Sequence, residues 1–120
     1  MLGPLADAGV DVFDAQQLAF DRAEFPGSDM NLAGWAKKVT GRMSMTSGAV
    51  GLSHGLYDPA ASGPPVSTDN LDALIRRFER DEFDLVGVAR SLLQDPAWTR
   101  KARLGLPFAA YDPSLLRVLN

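Results

Sequence analysis

The sequence predicts an α/β fold built on a parallel sheet, and three observations carry that prediction. Strand-like runs alternate with helical stripes in the order strand, helix, strand, helix, strand, helix, helix. Strand starts are separated by roughly 33 and 41 residues, enough for crossover units with long loops. The third strand run, Phe83-Asp84-Leu85-Val86-Gly87-Val88, is largely apolar in both phases, the pattern of a parallel strand covered on both faces.

Each element has a local reason. Leu5, Ala6 and Ala8 form an apolar stub that suits the end of a helix, and Gly9 leads into Val10-Asp11-Val12-Phe13, a β-branched and aromatic run that predicts the first strand. Residues 15–28 are polar and contain Pro26-Gly27, so they predict a long loop. Leu32, Trp35, Ala36 and Val39 then fall at i, i+3, i+4 and i+7, a one-stripe helix capped by Ser28 or Asp29 and stopped by Gly41. Met43 to Ser47 predicts the second strand, running into Gly48-Ala49-Val50-Gly51. Pro59, Gly63, Pro64 and Pro65 bar regular structure across residues 57–67. Ser67 or Thr68 is placed to cap a helix with the stripe Leu71, Leu74, Ile75 and Phe78. After the third strand, Asp95-Pro96 reads as cap and first residue of a helix that Gly105 ends. Asp112-Pro113 repeats the signal for a short final helix through Leu115, Leu116 and Leu119.

Composition narrows the function classes. The 120 residues are 46% hydrophobic and 22% charged, with net charge −3, which suits one ordinary core and argues against a disordered chain. No run of 18 apolar residues is present, so no membrane partner is expected. An isoelectric point near 5.0 argues against nucleic acid. The absence of cysteine removes disulfides and thiolate chemistry, and a single histidine, His54, excludes a His-rich zinc site.

Ligands of parallel α/β sheets sit at the carboxyl ends of the strands, and two segments there have the right chemistry. Gly48 and Ala49 open a glycine turn whose amides can approach a phosphate closely. Without a ligand, the same residues would make a tight strand-to-helix turn. Ala89 and Arg90 follow the third strand and offer a small residue, a planar guanidinium and the first amides of a helical turn from Ser91 to Gln94. The bland alternative is an arginine paired with a carboxylate. Two such segments on successive strands match the phosphate site of eight-stranded α/β barrels. Asp11 and Asp14 are three apart on a strand and so point to opposite faces. Asp14 reads as a turn or capping residue, His54 as a solvated loop histidine, and Trp35 and Trp98 as packing residues.

Four blocks together resemble a known family. They are Gly9-Val10-Asp11-Val12-Phe13-Asp14; Phe25-Pro26-Gly27-Ser28-Asp29 with Asn31-Leu32-Ala33-Gly34-Trp35-Ala36; Ser47-Gly48-Ala49-Val50-Gly51-Leu52; and Phe83 to Leu93 with Asp95-Pro96. In order and spacing they are similar to the C-terminal part of the Old Yellow Enzyme family, FMN-dependent NAD(P)H:flavin oxidoreductases and ene-reductases on an eight-stranded α/β (TIM) barrel. The resemblance implies that residues 1–120 are a single C-terminal portion of such a barrel, with strands equivalent to the sixth, seventh and eighth. It implies cytoplasmic location, FMN as cofactor, NAD(P)H as reductant and a small-molecule substrate. It assigns FMN-phosphate contacts to Gly48, Ala49, Ala89 and Arg90. The family commonly has Gly-Arg where this chain has Ala89-Arg90, and a methyl there would crowd the phosphate if the backbone needed a positive φ. It usually has a serine near Asp14, where this chain reads Ala15-Gln16-Gln17.

The family's carbonyl-binding histidines, proton-donating tyrosine and ring-contacting glutamine and arginine belong to earlier strands. The expectation is therefore no catalytic residue in this chain and no turnover by it alone. Three parallel strands cannot close a barrel that typically takes about 250 residues, so a partner is expected: the N-terminal barrel half or a second copy. Two further readings stand beside this one. The first is a non-catalytic phosphate-ligand or partner-binding half-barrel module. The other is a doubly wound nucleotide fold, ranked last because no G-x-G-x-x-G follows the first strand.

Overall fold

A computed structural model describes residues 1–118. Its elements are α1 (Leu2–Asp7), β1 (Val12–Gln16), α2 (Leu32–Thr40), β2 (Met43–Ser47), α3 (Leu71–Glu79), β3 (Leu85–Gly87), α4 (Arg90–Gln94), α5 (Trp98–Leu104) and a 3₁₀ turn (Pro113–Arg117). The three strands form one all-parallel open sheet in the order β1-β2-β3. The strand–helix alternation is as the sequence predicts. The first strand starts two residues later than Val10 and takes in Ala15 and Gln16, so Asp11 lies outside it. The last helical segment is 3₁₀, its start capped by the Asp112 carboxylate accepting from Ser114 N, and Leu119 lies outside the described residues.

Among the described residues helices cover one face of the sheet and leave the other bare, which corrects the expectation of a third strand buried on both sides. Phe13, Ala15, Ser44, Thr46 and Val86 point toward the helices, and Ser44 and Thr46 are wholly buried. Val12, Asp14, Gln16, Met43, Met45, Ser47, Leu85 and Gly87 point to the other face, where Val12, Met43 and Leu85 are each more than 40% exposed. Apolar residues in both phases thus mark two different surroundings, one packed and one bare. The core of Ala15, Phe20, Ala33, Val50, Leu74, Phe83 and Trp98 fills the space between the covered face and the helices.

Two helix caps differ from the predicted ones. Asn31, not Ser28 or Asp29, caps α2, its Oδ1 accepting from Gly34 N at 2.8 Å, while Gly41 at φ 67° ends the helix as expected. Asn70, not Ser67 or Thr68, precedes α3, and its side chain turns back to the Gly51 loop instead of capping. On α3 only Leu74 of the stripe is buried, and Ile75 and Phe78 are half exposed. Helix α5 begins at Trp98 because the Asp95 carboxylate accepts from Ala97 N, which places Pro96 in the turn before it.

Candidate functional site

A cleft of about 350 Å³ opens at the carboxyl ends of all three strands. Gly48, Ala49, Ala89 and Arg90 all line it, so the two sequence-predicted segments meet in one place. Asp14, Gln16, Gln17, Met45, Ser47 and Gly87 complete the walls with Val50, Leu52 and Val88.

Local geometry explains how the glycine turn is built. Gly48 adopts φ 124°, and a Cβ there would lie 2.1 Å from the Gln17 carbonyl oxygen. The loop after β1 therefore passes directly over Gly48, and Phe20 N donates to Gly48 O at 3.0 Å. Ala49 is left-handed as well, at φ 51°, although it carries a side chain. Its carbonyl accepts from Leu52 N and from Asn70 Nδ2, both within 3.0 Å. Asn70 Oδ1 accepts from Gly51 N at 2.9 Å, so one side chain clamps both ends of the turn.

The second segment is fastened to the first. Buried Ser91 donates from Oγ to Val50 O at 2.6 Å, which ties the first turn of α4 to the glycine turn. Ala89 has φ −116°, so its methyl group sits on unstrained backbone and the crowding that a positive φ would cause does not arise. The Arg90 Nη1 is buried and has no hydrogen-bond partner among the described residues. A buried unpaired guanidinium nitrogen carries a desolvation cost. The alternative of an arginine paired to a nearby carboxylate is not what the described residues form.

The other candidates separate from this site. Asp14 is mid-strand on the open face, not a cap, and its Oδ2 accepts from Gln16 Nε2 at 3.0 Å. His54 is not an unpartnered loop residue: its Nδ1 lies 2.9 Å from Ser53 Oγ and its Nε2 lies 3.2 Å from Gly63 O. With Nε2 donating to that carbonyl, the ring braces the 52–67 loop outside the cleft. Trp98 is buried and stacks on Phe108 with ring centroids 5.2 Å apart, while Trp35 meets Phe25 edge-on. Among the described residues no group of three or more His, Asp or Glu side chains is arranged to hold a metal.

Sequence reasoning missed Gln16 and Ser47 as cleft residues. The signal for both is period-two alternation; for Gln16 it is hidden because the sequence places the first strand at Val10 to Phe13, whereas Ser47 ends a second strand whose predicted range the structure keeps. It also missed Asn70, whose pairing with residues 49 to 52 spans about twenty positions and has no local signature. No known family model matches the chain, and no curated protein gives a significant match. Among the described residues no helix is long and apolar enough to cross a membrane.

Proposed function

We propose that this chain is the FMN-phosphate-binding portion of a flavin oxidoreductase of the Old Yellow Enzyme type, its sheet matching the last three strands of a TIM barrel. One observation carries the reading: the Gly48-Ala49 turn and Arg90 line one cleft at the carboxyl ends of parallel strands. A phosphate monoester suits those groups, because a guanidinium gives charge-assisted hydrogen bonds and a left-handed turn turns its amides toward an anion. FMN, when bound, supplies hydride-transfer chemistry. Gly48, Ala49, Ala89 and Arg90 would hold its phosphate, and no residue of this chain is assigned to the flavin ring or to substrate. Ring support, NAD(P)H and the small-molecule substrate then depend on further βα units that complete the sheet.

The test is a calorimetric titration of the chain with FMN and with riboflavin. FMN binding without riboflavin binding is expected, and Arg90→Ala should weaken FMN by roughly 1.5–3 kcal/mol, the scale of a charged hydrogen bond. Equal binding of both flavins, or an unchanged Kd in the variant, overturns the phosphate assignment. Reduction of an activated alkene with NADPH by this chain alone would overturn the expectation of no turnover.

A second reading is favoured by the bare sheet face. Val12, Met43 and Leu85 are exposed there beside two free strand edges, which suits a non-catalytic half-barrel module that pairs with a second copy or another chain. Sedimentation should then show self-association at micromolar concentration. A monodisperse, cooperatively unfolding monomer argues against it.

A further inference from the structure

His54 is the one histidine of the chain, and neither it nor Ser53 lines the cleft. The two residues sit at the end of a short antiparallel pairing. Leu52 bridges to Ser67, Thr68 N donates to Gly51 O at 3.0 Å, and Ser53 N donates to Val66 O at 2.9 Å. On the other side, Gly55 is buried against the loop after β1, where a Cβ would lie 2.8 Å from Leu18 O. Ser53 and His54 are thus held between two fixed points, yet Ser53 is exposed and His54 only half-buried.

The chemistry of the partners fixes where the protons are. Gly63 O can only accept, so His54 Nε2, 3.2 Å away, carries a hydrogen. The lone pair of a neutral imidazole is then on Nδ1, and Ser53 Oγ, 2.9 Å away, donates to it. Val66 N donates to the same Oγ at 3.1 Å. The serine oxygen therefore takes one backbone hydrogen bond and gives its own proton to a base whose far nitrogen is anchored on a carbonyl. Hydroxyl, base and orienting group in that order make an activated nucleophile. Asp58 is buried nearby, its carboxyl held below the ordinary value first by the Ala60 amide and then, against the opposing effect of burial, by Arg22 and His54. Its negative charge favours the imidazolium that forms when the proton leaves Ser53. The surroundings are partly apolar: exposed Leu56 and Tyr57 follow the pair in the chain, and exposed Val66 lies across the pairing.

We propose that Ser53 is an acyl acceptor with His54 as its general base, and that the donor is an activated ester of a short carboxylic acid. Ser53 Oγ attacks the carbonyl carbon of the donor. The new Oγ–C bond forms as the bond from that carbon to the leaving oxygen breaks. The hydroxyl proton passes to Nδ1 and from the imidazolium to the leaving oxygen. Nothing is oxidised or reduced: the chain gains an O-acyl ester and the donor departs as an alcohol or phenol.

Incubation of the full chain with 4-nitrophenyl acetate, read by nitrophenolate release and by peptide mass mapping, tests the assignment. Acetyl is expected on Ser53 ahead of the lysines and the other exposed serines. His54→Gln keeps an amide donor for Gly63 O but has no base, so it should slow Ser53 acetylation by about a hundredfold while the lysines react as before. An unchanged Ser53 rate in that variant would mean that His54 serves the loop alone, and overturns the proposal. Ser53→Ala should abolish the fast phase of release. Its persistence would make the imidazole itself the acceptor, which also overturns it. In urea, the unfolded wild-type chain should lose the preference for Ser53, and selective acetylation that survives unfolding counts against the geometry as its cause.

Discussion

Gly48 and Ala49 occupy adjacent left-handed positions, and different forces hold them there. At Gly48 the constraint is steric, because the Gln17 carbonyl fills the space a side chain would need at 2.1 Å. Gly48→Ala therefore has to push the backbone of the preceding loop away while adopting φ 124°, a conformation closed to residues with a Cβ. We expect a loss of about 3 kcal/mol or more in urea unfolding, with the cleft distorted as well. At Ala49 the balance is closer. Its left-handed backbone costs roughly 1–2 kcal/mol relative to glycine. The residue is 95% buried, its methyl group contributes about 0.8 kcal/mol, and a glycine there would add entropy to the unfolded chain worth about as much again. Ala49→Gly should thus change stability by less than about 0.5 kcal/mol. A loss above 2 kcal/mol would show that the methyl group, not the turn, is what the position requires.

Asn31 does more than start a helix. It is fully buried, and besides capping α2 it donates from Nδ2 to Phe20 O at 2.9 Å and to Thr46 Oγ1 at 3.1 Å. One side chain thus joins the helix start, the long loop after β1 and the centre of β2. Asn31→Ala should cost about 2–4 kcal/mol, more than the roughly 1 kcal/mol of a cap, because buried Phe20 and Thr46 oxygens lose their donor. Asn31→Asp is the sharper comparison, since aspartate caps equally well but cannot donate and brings a charge against those oxygens. It should fail to rescue, and a near-wild-type melting temperature for it would sink this account. The same residue shows why elements were legible and their joints were not. The Leu32, Trp35 and Ala36 spacing and the Gly41 stop are local signals that define α2 correctly. The nearest polar residues, Ser28 and Asp29, looked like adequate caps, whereas Asn31 is selected by Thr46, fifteen positions away. Asn70 repeats the case at α3, where a capping residue is diverted to clamp residues 49–52.

Across the whole molecule the two ends of the sheet divide their labour. The carboxyl end carries the cleft, and the meeting of the Gly48-Ala49 and Ala89-Arg90 segments in it was legible because both directly follow parallel strands, although each segment also has a purely structural reading. The bare face was not legible in strand β3, since an apolar residue looks the same whether a helix covers it or nothing does. The amino end is closed by ion pairs. Lys37 on α2 reaches Asp84 at 2.8 Å and Asp81 at 2.5 Å, and Asp84 also accepts from Ser44 N. The Lys37 ammonium holds the Asp84 carboxyl below its ordinary value of 3.8, and Asp81 with Asp84 raises Lys37 above 10.5. Lys101 likewise lowers Asp95, and Arg80 lowers Asp29. A carboxyl depressed in the folded state contributes stability that is complete above 3.8 and is lost as pH falls through the depressed value. A raised lysine contributes stability that is complete below 10.5 and is lost as pH climbs through the raised value. Melting temperature should therefore be level from about pH 5 to about pH 10 and fall on both sides. Lys37→Met separates the pairs from the rest. It should cost about 1 kcal/mol at neutral pH, because Asp84 keeps one backbone donor and some water. It should also make the acid limb shallower, since Asp84 then titrates nearer its ordinary value in both states. A variant that loses stability equally at pH 7 and pH 3 would mean that Lys37 acts through packing of its methylene stem instead of through its charge.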